Sequence, residues 1–528
     1  MMAAHINTEK TVSSSHYILA VDVGTTCIKS QIFNDKAEIC GETEQFVQLE
    51  YPKLGYVEID PDALWDSFVK SIMKVSTNSG IPISEISCMG LSVHRGTFIT
   101  WDRLTNKPFH KFIVWNDLRA DRDVKKWNNS FALRSLRFSS KLLHKITRLK
   151  RLLSASIYKL SNNMVLSKLY WVLQNNNKLR TSALSGNAMF GTLDTWLIYK
   201  LTGNTKHVSE YSCASSTGIF DPYVMEWGDW CLKLFDIPES ILPKLINSSG
   251  DICDTDPAIF GSSIKISSVL GDQQAAMFGQ GCFDKGDVKL SLGTGTFLGV
   301  NTGDHPHASL NGLHPLVAWK IGNKTTYMVE GMCCDTGTII NWAQNIGLFN
   351  DPAETNDIAN SVIDSHGVYF VPAFSGIQAP VNDARAGAGF VGISQSTTKV
   401  HMVRAILESV SFRAKQMYEC IAEEVDYDLS CIRVDGGVSN NSFIMQLIAD
   451  LTLTTLEKPE CKQLSCLGVA FMAGVSQGIW SDYNEMKKLS KNEKVYEPND
   501  TWAKYRYIFY NWERAIRRLG RWYKNGVR

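Results

Sequence analysis

A carboxylate followed by a glycine-threonine turn lies near the start of the sequence. In the stretch YILAVDVGTTCIKSQIF, an apolar run leads into Asp22, then Gly24, Thr25 and Thr26, and then a second strand-like run. A glycine turn between two strands can present consecutive backbone N–H groups to an anion, and threonine hydroxyls add donors. With Lys29 nearby, these residues could bind phosphate, and Asp22 could hold Mg²⁺ directly or through water. A plain hairpin is the alternative for this stretch taken alone.

Two further glycine turns occur in the second half of the sequence. VKLSLGTGTFLGVN carries Gly293 and Thr294, which could cradle the other end of a phosphate chain. VDGGVSNN follows an apolar strand, and its Gly436 and Gly437 allow flat approach of a base or ribose, while Asn440 or Asn441 could cap the helix or contact the ligand. Ordinary turn chemistry is the alternative at each site. Since the sequence contains no Walker P-loop motif, a nucleotide phosphate, if one is bound, must be held in another way, and glycine turns of this kind could do so.

An acid suited to proton transfer lies in VLGDQQAAMFGQG. Asp272 directly follows an apolar strand and precedes Gln273 and small residues that permit close packing. A carboxylate placed there can accept a hydroxyl proton as the oxygen attacks phosphorus, a step typically worth about 100- to 10,000-fold in rate. The alternative is an ordinary helix N-cap, a position that aspartate favours.

The surrounding pattern predicts an α/β protein with two lobes. Strand-like runs such as ISCMGLSVH and KFIVWND alternate with helical segments such as PDALWDSFVKSIMKVS and SCLGVAFMAGVSQGIW. A chain of 528 residues exceeds what one core usually supports. The two Gly-Thr turns occupy similar places in the two halves, which suggests related lobes that meet near residues 261–270.

Composition narrows the class of partner. The formal net charge of +1 provides no global field for nucleic acid or an anionic membrane, so we expect no nucleic-acid partner. The 13 cysteines include no Cys-x-x-Cys pair, which indicates neither a disulfide framework nor a zinc site and favours a cytoplasmic location. No apolar run reaches the roughly 20 residues of a membrane span, and residues 1–16 are predicted to be a disordered terminus.

One segment differs from the rest in composition. Residues 134–159, RSLRFSSKLLHKITRLKRLLSASIYK, contain many basic residues, no acidic one and leucines at helical spacing. A solvated basic helix face is favoured over a membrane-surface or partner-binding helix, so membrane contact through this segment is an alternative only. The aromatic C-terminal stretch WAKYRYIFYNWERAIRRLGRWYK is expected to dock a final helix onto the body.

Taken in order, these strings resemble the FGGY family of carbohydrate and polyol kinases. VPAFSGIQAPVNDARAGAGFVGI, RAILESVSFRAKQ and FGTLDTWLIYKLTGN resemble the glycerol kinase branch, and HRGTFITWDRLTNKPFHKFIVWNDLRAD resembles a divergent animal branch within it. The resemblance implies an α/β fold of two actin-like (RNase H-like) ATPase domains with a central cleft. It places an N-terminal kinase domain at 17–264, a C-terminal one at 265–490 and a helical tail at 491–528.

The resemblance also implies a function: phosphorylation of a small-molecule polyol, with glycerol as the leading acceptor and ATP and Mg²⁺ as cofactors. Homo-oligomers are common in the family and are therefore expected here. Asp272 would be the general base and Asp22 the Mg²⁺ ligand. The polyol-binding residues implied are Arg95, Trp115, Asp272, Gln273 and Phe297. The residues implied for ATP and its phosphates are Gly24, Thr25, Thr26, Lys29, Gly293, Thr294, Gly337, Asn341, Gly436, Gly437 and Asn440.

The sequence departs from the glycerol kinase pattern at the polyol site. Where glycerol kinases have Asn-Gln-Arg-Glu-Thr, this chain has Val-His-Arg-Gly-Thr, so Arg95 remains and Gly96 replaces the glutamate. The family's pocket tyrosine has no clear counterpart near Asn163 to Lys168. Losing a buried acceptor for a substrate hydroxyl costs about 1–3 kcal/mol or leaves room for another ligand. A kinase for another polyol or sugar, or an ATP-binding scaffold without turnover, are therefore the alternatives.

Overall fold

The computed structural model of this protein describes residues 16–524. The predicted disordered terminus therefore lies outside the described residues except for His16, as do the last four residues of the predicted tail. Within residues 16–524, thirteen strands join into one mixed sheet, and the other strands form four smaller sheets.

The elements of the first half run as far as residue 279. Its strands are β1 (Tyr17–Val23), β2 (Cys27–Phe33), β3 (Ile39–Phe46), β4 (Leu49–Glu50), β5 (Glu58–Ile59), β6 (Ile86–Val93), β7 (Phe98–Asp102), β8 (Phe112–Ile113), β9 (Ala188–Thr192), β10 (Val208–Glu210), β11 (Phe220–Asp221), β12 (Glu226–Trp227), β13 (Lys244–Ile246), β14 (Ser249–Asp254) and β15 (Lys265–Gly271). Its helices are α1 (Pro61–Ser79), α2 (Asp121–Asn128), α3 (Phe131–Thr147), α4 (Lys150–Ile157), α5 (Val165–Asn175), α6 (Asn177–Leu184), α7 (Leu193–Leu201), α8 (Tyr211–Ser215), α9 (Asp229–Phe235), α10 (Pro257–Phe260) and α11 (Asp272–Gly279).

The elements of the second half begin at residue 288. Its strands are β16 (Val288–Leu292), β17 (Thr296–Gly303), β18 (His314–Ile321), β19 (Lys324–Cys333), β20 (Tyr369–Val371), β21 (Gly389–Val391), β22 (Ile432–Asp435), β23 (Leu456–Pro459) and β24 (Asn492–Tyr496). Its helices are α12 (Gly337–Asn345), α13 (Thr355–Asn360), α14 (Lys399–Glu424), α15 (Ser442–Thr452), α16 (Leu464–Ser476), α17 (Tyr483–Leu489) and α18 (Trp502–Leu519).

The strands of the large sheet lie in the order β24-β23-β22-β16-β17-β19-β18-β14-β15-β6-β1-β2-β3, and this order contains the same five-stranded pattern twice. In β3-β2-β1-β6-β15 the first three strands are antiparallel and the last two add in parallel. In β19-β17-β16-β22-β23 the same sequence of directions recurs. These two patterns are the predicted pair of RNase H-like halves. The first Gly-Thr turn joins β1 to β2, and the second joins β16 to β17.

Strand pairing favours a later division between the lobes than the predicted one at 264/265. β15 pairs in parallel with β6 of the first half, so a boundary at 265 would detach a central strand from its sheet. We therefore propose that the lobes divide between Gly279 and Val288. α16, although late in the chain, packs on the first-half sheet, where the carbonyl of Val469 accepts a 2.7 Å hydrogen bond from Ser268.

Most predicted elements are present, with two differences in extent. The predicted helix α1 begins at Pro61, and the Asp60 side chain caps it by accepting from the Asp62 and Ala63 N–H groups. The predicted KFIVWND strand is shortened to residues 112–113: the Val114 N–H still donates to the Val57 carbonyl at 3.0 Å, but the carbonyls of Val114 and Trp115 accept from a buried lysine. The predicted helical tail begins instead with the edge strand β24, followed by α18, which packs through the buried Trp512. Within residues 16–524, no helix is long and apolar enough to cross a lipid bilayer.

Candidate active site

The first Gly-Thr turn is a tight connection between β1 and β2. The Gly24 N–H donates to the Cys27 carbonyl at 2.9 Å. A Cβ on Gly24 would lie 3.0 Å from that carbonyl oxygen, so a larger residue would crowd the turn. The loop holds Thr25 part-buried and Thr26 exposed at the end of the sheet. The hairpin is therefore rigid at its base and open at its tip, which suits a phosphate-binding turn.

Asp22 lies at the base of this turn, between one residue of β2 and one residue of β6. It pairs with Ser92 in β6 and with Lys29 in β2, and the Ser92 hydroxyl donates to its carboxylate at 2.6 Å. Burial raises the pKa of Asp22 to about 6; the Asp272 charge adds to this rise, whereas Ser92 and Lys29 oppose it. The Lys29 ammonium itself donates to Gln463 at 2.8 Å.

Asp272 is the first residue of α11 and faces the buried Arg95, which follows β6 in the chain. The Arg95 Nε lies 3.5 Å from Asp272 Oδ1, and Arg95 Nη2 donates to both carboxylate oxygens of Glu330, at 2.9 and 2.8 Å. Burial alone would lower the pKa of Arg95, but the Glu330 and Asp272 charges raise it overall. The guanidinium is thus held between two carboxylates, and Asp272 stays partly exposed toward the cleft.

Replacing Glu330 by Gln keeps the side-chain shape but removes the charge that holds Arg95. We expect the free energy of unfolding to fall by about 2 kcal/mol, because Arg95 then keeps only Asp272 as a charged partner. Urea denaturation followed by tryptophan fluorescence measures this change. The control Asp229→Asn breaks the exposed Asp229–Lys233 ion pair and should change little. Equal effects of the two substitutions would contradict a structural role for the Arg95–Glu330 pair.

Trp115 links the predicted polyol site to the predicted phosphate turn. Its indole N–H donates to the Thr25 hydroxyl at 3.1 Å. The buried Lys168 ammonium donates to the carbonyls of Gly96, Val114 and Trp115, at 3.2, 2.9 and 2.9 Å. Burial lowers the pKa of Lys168 to about 7. Lys168 therefore fixes the positions of two pocket segments without facing the cleft itself.

Gln273 and Phe297, the other predicted polyol residues, lie on elements that border the same region. The Lys289 ammonium donates to the Gln273 amide oxygen at 2.7 Å. Phe297 pairs across the sheet with Met332, whose sulfur lies 4.0 Å from the Asn163 amide nitrogen. Arg95 and Asp272 are therefore in direct contact, whereas Trp115, Gln273 and Phe297 each bond or pair with a different neighbour.

The predicted nucleotide residues converge on the second Gly-Thr turn. The N–H of Gly337, at the start of α12, donates to the Gly293 carbonyl at 3.0 Å. Thr336 donates in the same way to the Thr294 carbonyl at 3.2 Å. Gly436 has φ +90°, and a Cβ there would lie 2.4 Å from the Leu292 carbonyl oxygen, so only glycine fits this close approach.

The remaining predicted nucleotide residues differ in their surroundings. Gly437 begins a short 3₁₀ helix (Gly437–Asn440), and a Cβ there would meet nothing within 4 Å, which leaves the space above it open. Asn341 is exposed one turn along α12 from Gly337. Asn440 accepts a 2.9 Å hydrogen bond from Lys458, and Asn441, not Asn440, caps α15. In this turn the space at Gly437 is therefore open, whereas Asn441 caps α15.

His94, which replaces the family's glutamine, is used inside the protein. Its Nδ1 lies 3.0 Å from the Val23 carbonyl, so Nδ1 carries the proton, and its Nε2 accepts from the Thr97 hydroxyl at 2.7 Å. Burial lowers the pKa of His94, which keeps the ring neutral. The backbone N–H of Trp115 in turn donates to the Thr97 hydroxyl at 3.2 Å. His94 is thus a satisfied structural histidine that ties the pocket to the end of β1.

Sequence reasoning missed several residues of this site. Glu330, Lys289 and Lys168 carry no local motif, and each acts through a partner distant in the chain. Ser92 could have been found, because it lies at the end of a predicted strand parallel to the one that carries Asp22. Asn163 was located only loosely, since the segment before it differs from the family pattern.

Asp22 and Asp435 both feel the charge of Asp272. Burial raises the pKa of Asp435 as it does that of Asp22, and the Asp272 charge adds to both shifts. Within residues 16–524, no cluster of three His, Cys, Asp or Glu side chains forms a ready-made metal cage. Mg²⁺ typically uses one or two carboxylates together with substrate phosphates, and Asp22 could supply such a ligand.

Comparison with known proteins assigns the chain to a family. Models of the FGGY family of carbohydrate kinases match residues 17–279 (N-terminal domain) and 288–477 (C-terminal domain). Glycerol kinase 5 of Bos taurus is 46% identical over 508 residues, covering 96% of each chain, and that of Danio rerio is 47% identical over 513 residues, covering 96% of this chain and 97% of its own. The crystal structure of Plasmodium falciparum glycerol kinase with ADP superposes with a TM-score of 0.86 at 27% identity, covering 96% of this chain and 98% of that one. The predicted two-domain, actin-like fold is confirmed, and kinases of this family use ATP. The chain belongs to the FGGY family of carbohydrate kinases.

Proposed function

We propose that this kinase transfers the γ-phosphoryl group of ATP to glycerol, forming sn-glycerol 3-phosphate. The observation that carries the proposal is the Arg95–Asp272 pair, 3.5 Å apart, beside the phosphate turn that follows Asp22. In this proposal Asp272 is the base, Arg95 is the cation, and the turn after Asp22 binds the phosphate. The names of the Bos taurus and Danio rerio relatives support glycerol as the acceptor.

In the proposed mechanism, Asp272 acts as general base. Its carboxylate takes the proton of the acceptor hydroxyl as the oxygen forms a bond to the γ-phosphorus. The bond from the γ-phosphorus to the β–γ bridging oxygen breaks at the same time, and ADP leaves with that electron pair. Arg95, held by Glu330, orients the acceptor hydroxyls, and Trp115 forms a wall of the pocket. Positioning and charge stabilisation supply most of the rate in this reaction class.

The phosphates of ATP would be bound by the two Gly-Thr turns. Backbone N–H groups and threonine hydroxyls at Gly24–Thr26 and Gly293–Thr294 are the proposed donors, and Gly436 and Gly437 give the base and ribose a flat surface. Mg²⁺ near Asp22, when bound, would neutralise charge on the phosphate oxygens. Homo-oligomerisation and a cytoplasmic location stay predictions from the sequence.

The test is product formation by the purified protein with Mg-ATP and glycerol, beside a panel of other polyols and sugars. Formation of glycerol phosphate, with the highest kcat/KM in the panel, is the expected result. If another polyol or sugar gave a higher kcat/KM, the protein would still be a kinase, but glycerol would not be its preferred substrate. ATP binding without any product would favour the scaffold alternative.

One observation favours an acceptor other than glycerol as the second candidate. Gly96 has no side chain where the glycerol kinase pattern has a glutamate, and its backbone has φ +79°. A Cβ there would lie 3.1 Å from the Trp115 Cβ and 3.4 Å from the Asn163 carbonyl oxygen. These two neighbours already occupy the side-chain position, so the change removes a carboxylate acceptor without leaving an open space.

Gly96→Ala should displace Trp115, which the proposed acceptor site uses. We expect the KM for the best acceptor to rise about tenfold, because the added methyl group presses on Trp115. The matched control is Gly80→Ala: Gly80 also has positive φ, at +72°, but a Cβ there meets nothing within 4 Å. Both variants should lose similar stability from backbone strain. Steady-state kinetics with thermal denaturation separates the effects, and an unchanged KM in Gly96→Ala would show that this backbone does not line the acceptor site.

A further inference from the structure

Helix α3 carries a second apolar face that the fold does not use. Its inward side, which includes Leu133 and Ser140, is buried against the first half. On the opposite side, Phe131, Phe138, Leu142 and Ile146 are 87, 73, 53 and 73% exposed. At about 100° per residue these four side chains fall within about 80° of one another, along about 22 Å of helix. We call them the apolar stripe.

A row of cations borders the apolar stripe on one side. Arg134, Lys141 and Lys145 fall about 75° around the helix from its centre and form the basic row. Arg148 and Lys150 follow at the turn into α4. Among residues 16–524 none of these five cations has an acidic partner, although Arg151 in α4 pairs with Asp221 at 2.7 Å.

The charge along this part of the chain has one sign. Between Asp123 and Asp194 the sequence contains no acidic residue. Single exposed apolar side chains are ordinary on protein surfaces, but a continuous stripe bordered by lysine and arginine is typical of helices that lie in the plane of a membrane interface. Lysine and arginine stems can lie along apolar surface while their charges reach lipid headgroups.

We propose that α3 docks this kinase on an anionic phospholipid surface, with the apolar stripe buried among the headgroups and acyl chains and the basic row on the phosphates. Charge complementarity selects this occupant, since the five unpaired cations would repel a second copy of the same face. The small residues Ala132, Ser135 and Ser139 on the other border let the helix settle to the depth of the stripe. The proposal is independent of which acceptor the kinase phosphorylates.

The test is co-sedimentation of the full-length protein with vesicles of phosphatidylcholine alone or mixed with phosphatidylserine. We expect binding to the mixed vesicles only, weakened by salt. The variant Arg134→Gln/Lys141→Gln/Lys145→Gln should bind on the order of a hundredfold more weakly. The variant Phe138→Gln/Leu142→Gln/Ile146→Gln keeps every charge and should also lose binding. The replaced side chains are solvent-exposed, so both variants should fold, and both should keep wild-type turnover in vesicle-free buffer.

A matched control separates the site from total charge. Lys36→Gln/Lys74→Gln/Lys324→Gln removes three exposed cations elsewhere and should bind mixed vesicles as the wild type does. Equal loss in this control, full binding by the apolar variant, or no preference for mixed vesicles would each overturn the proposal. Sedimentation velocity tests whether a second copy of the protein covers the apolar stripe instead. A dimer that the apolar variant abolishes would assign the stripe to self-association.

Discussion

Asp272→Asn should lower kcat by about a thousandfold while ATP still binds. The substitution keeps the shape of the side chain but removes its ability to take a proton, and general-base catalysis of this kind is worth about 4 kcal/mol at that factor. Arg95 remains held by Glu330, so the pocket should keep its form. Steady-state assays for product and equilibrium titration with a fluorescent ATP analogue measure the two effects separately.

The control for this experiment is Asp229→Asn. Asp229 is also the first residue of its helix, α9, and exposed, but it lies outside the cleft. It should keep wild-type kcat, because the charge of Asp229 contributes only to the stability of α9. If Asp272→Asn turned over at a rate near that of the wild type, Asp272 would be a helix-start residue only, and the catalytic assignment would fall.

Gly468→Ala should destabilise the protein by about 3 to 4 kcal/mol and displace the catalytic helix. α11, which begins at Asp272, crosses α16 so closely that a Cβ on Gly468 would lie 1.8 Å from the Ala275 carbonyl oxygen. A Cβ on Gly279, across the same contact, would lie 2.2 Å from the Leu464 carbonyl oxygen. Both obstacles are main-chain atoms, so the helices must move apart, which puts the cost at or above the usual range for overpacking.

Chemical denaturation and kcat measure the two consequences of Gly468→Ala. Because α11 carries Asp272 at its N-terminus, separation of the helices should lower kcat as well as stability. Gly389→Ala is the control, since a Cβ there meets only Leu519, at an ordinary 3.6 Å. Adding Ala275→Gly should not rescue Gly468→Ala, because the obstacle is a carbonyl and not a side chain. Full stability in Gly468→Ala would mean that the two helices are not held by this contact.

Local chemistry was readable from the sequence. The Asp-x-Gly-Thr-Thr hairpin, the Gly-Thr-Gly turn and the acid that opens α11 appear in the structure as the patterns predict, because a turn or cap depends on residues within a few positions. The order of these strings sufficed to predict two RNase H-like halves. Periodicity likewise predicted α1 and α16, each of which buries one face or a close-packed set of small residues.

Relations between distant residues were decided by the tertiary structure. Glu330 holds Arg95 across 235 positions, and Gln463 accepts from Lys29 across 434. The strand in KFIVWND ends early because Lys168, more than 50 positions away, takes its carbonyls. The apolar stripe of α3 has the same helical period as a core face, and only packing shows that this side of the helix faces solvent. Sequence spacing specifies which side chains share a face, whereas the folding of remote segments determines what each face meets.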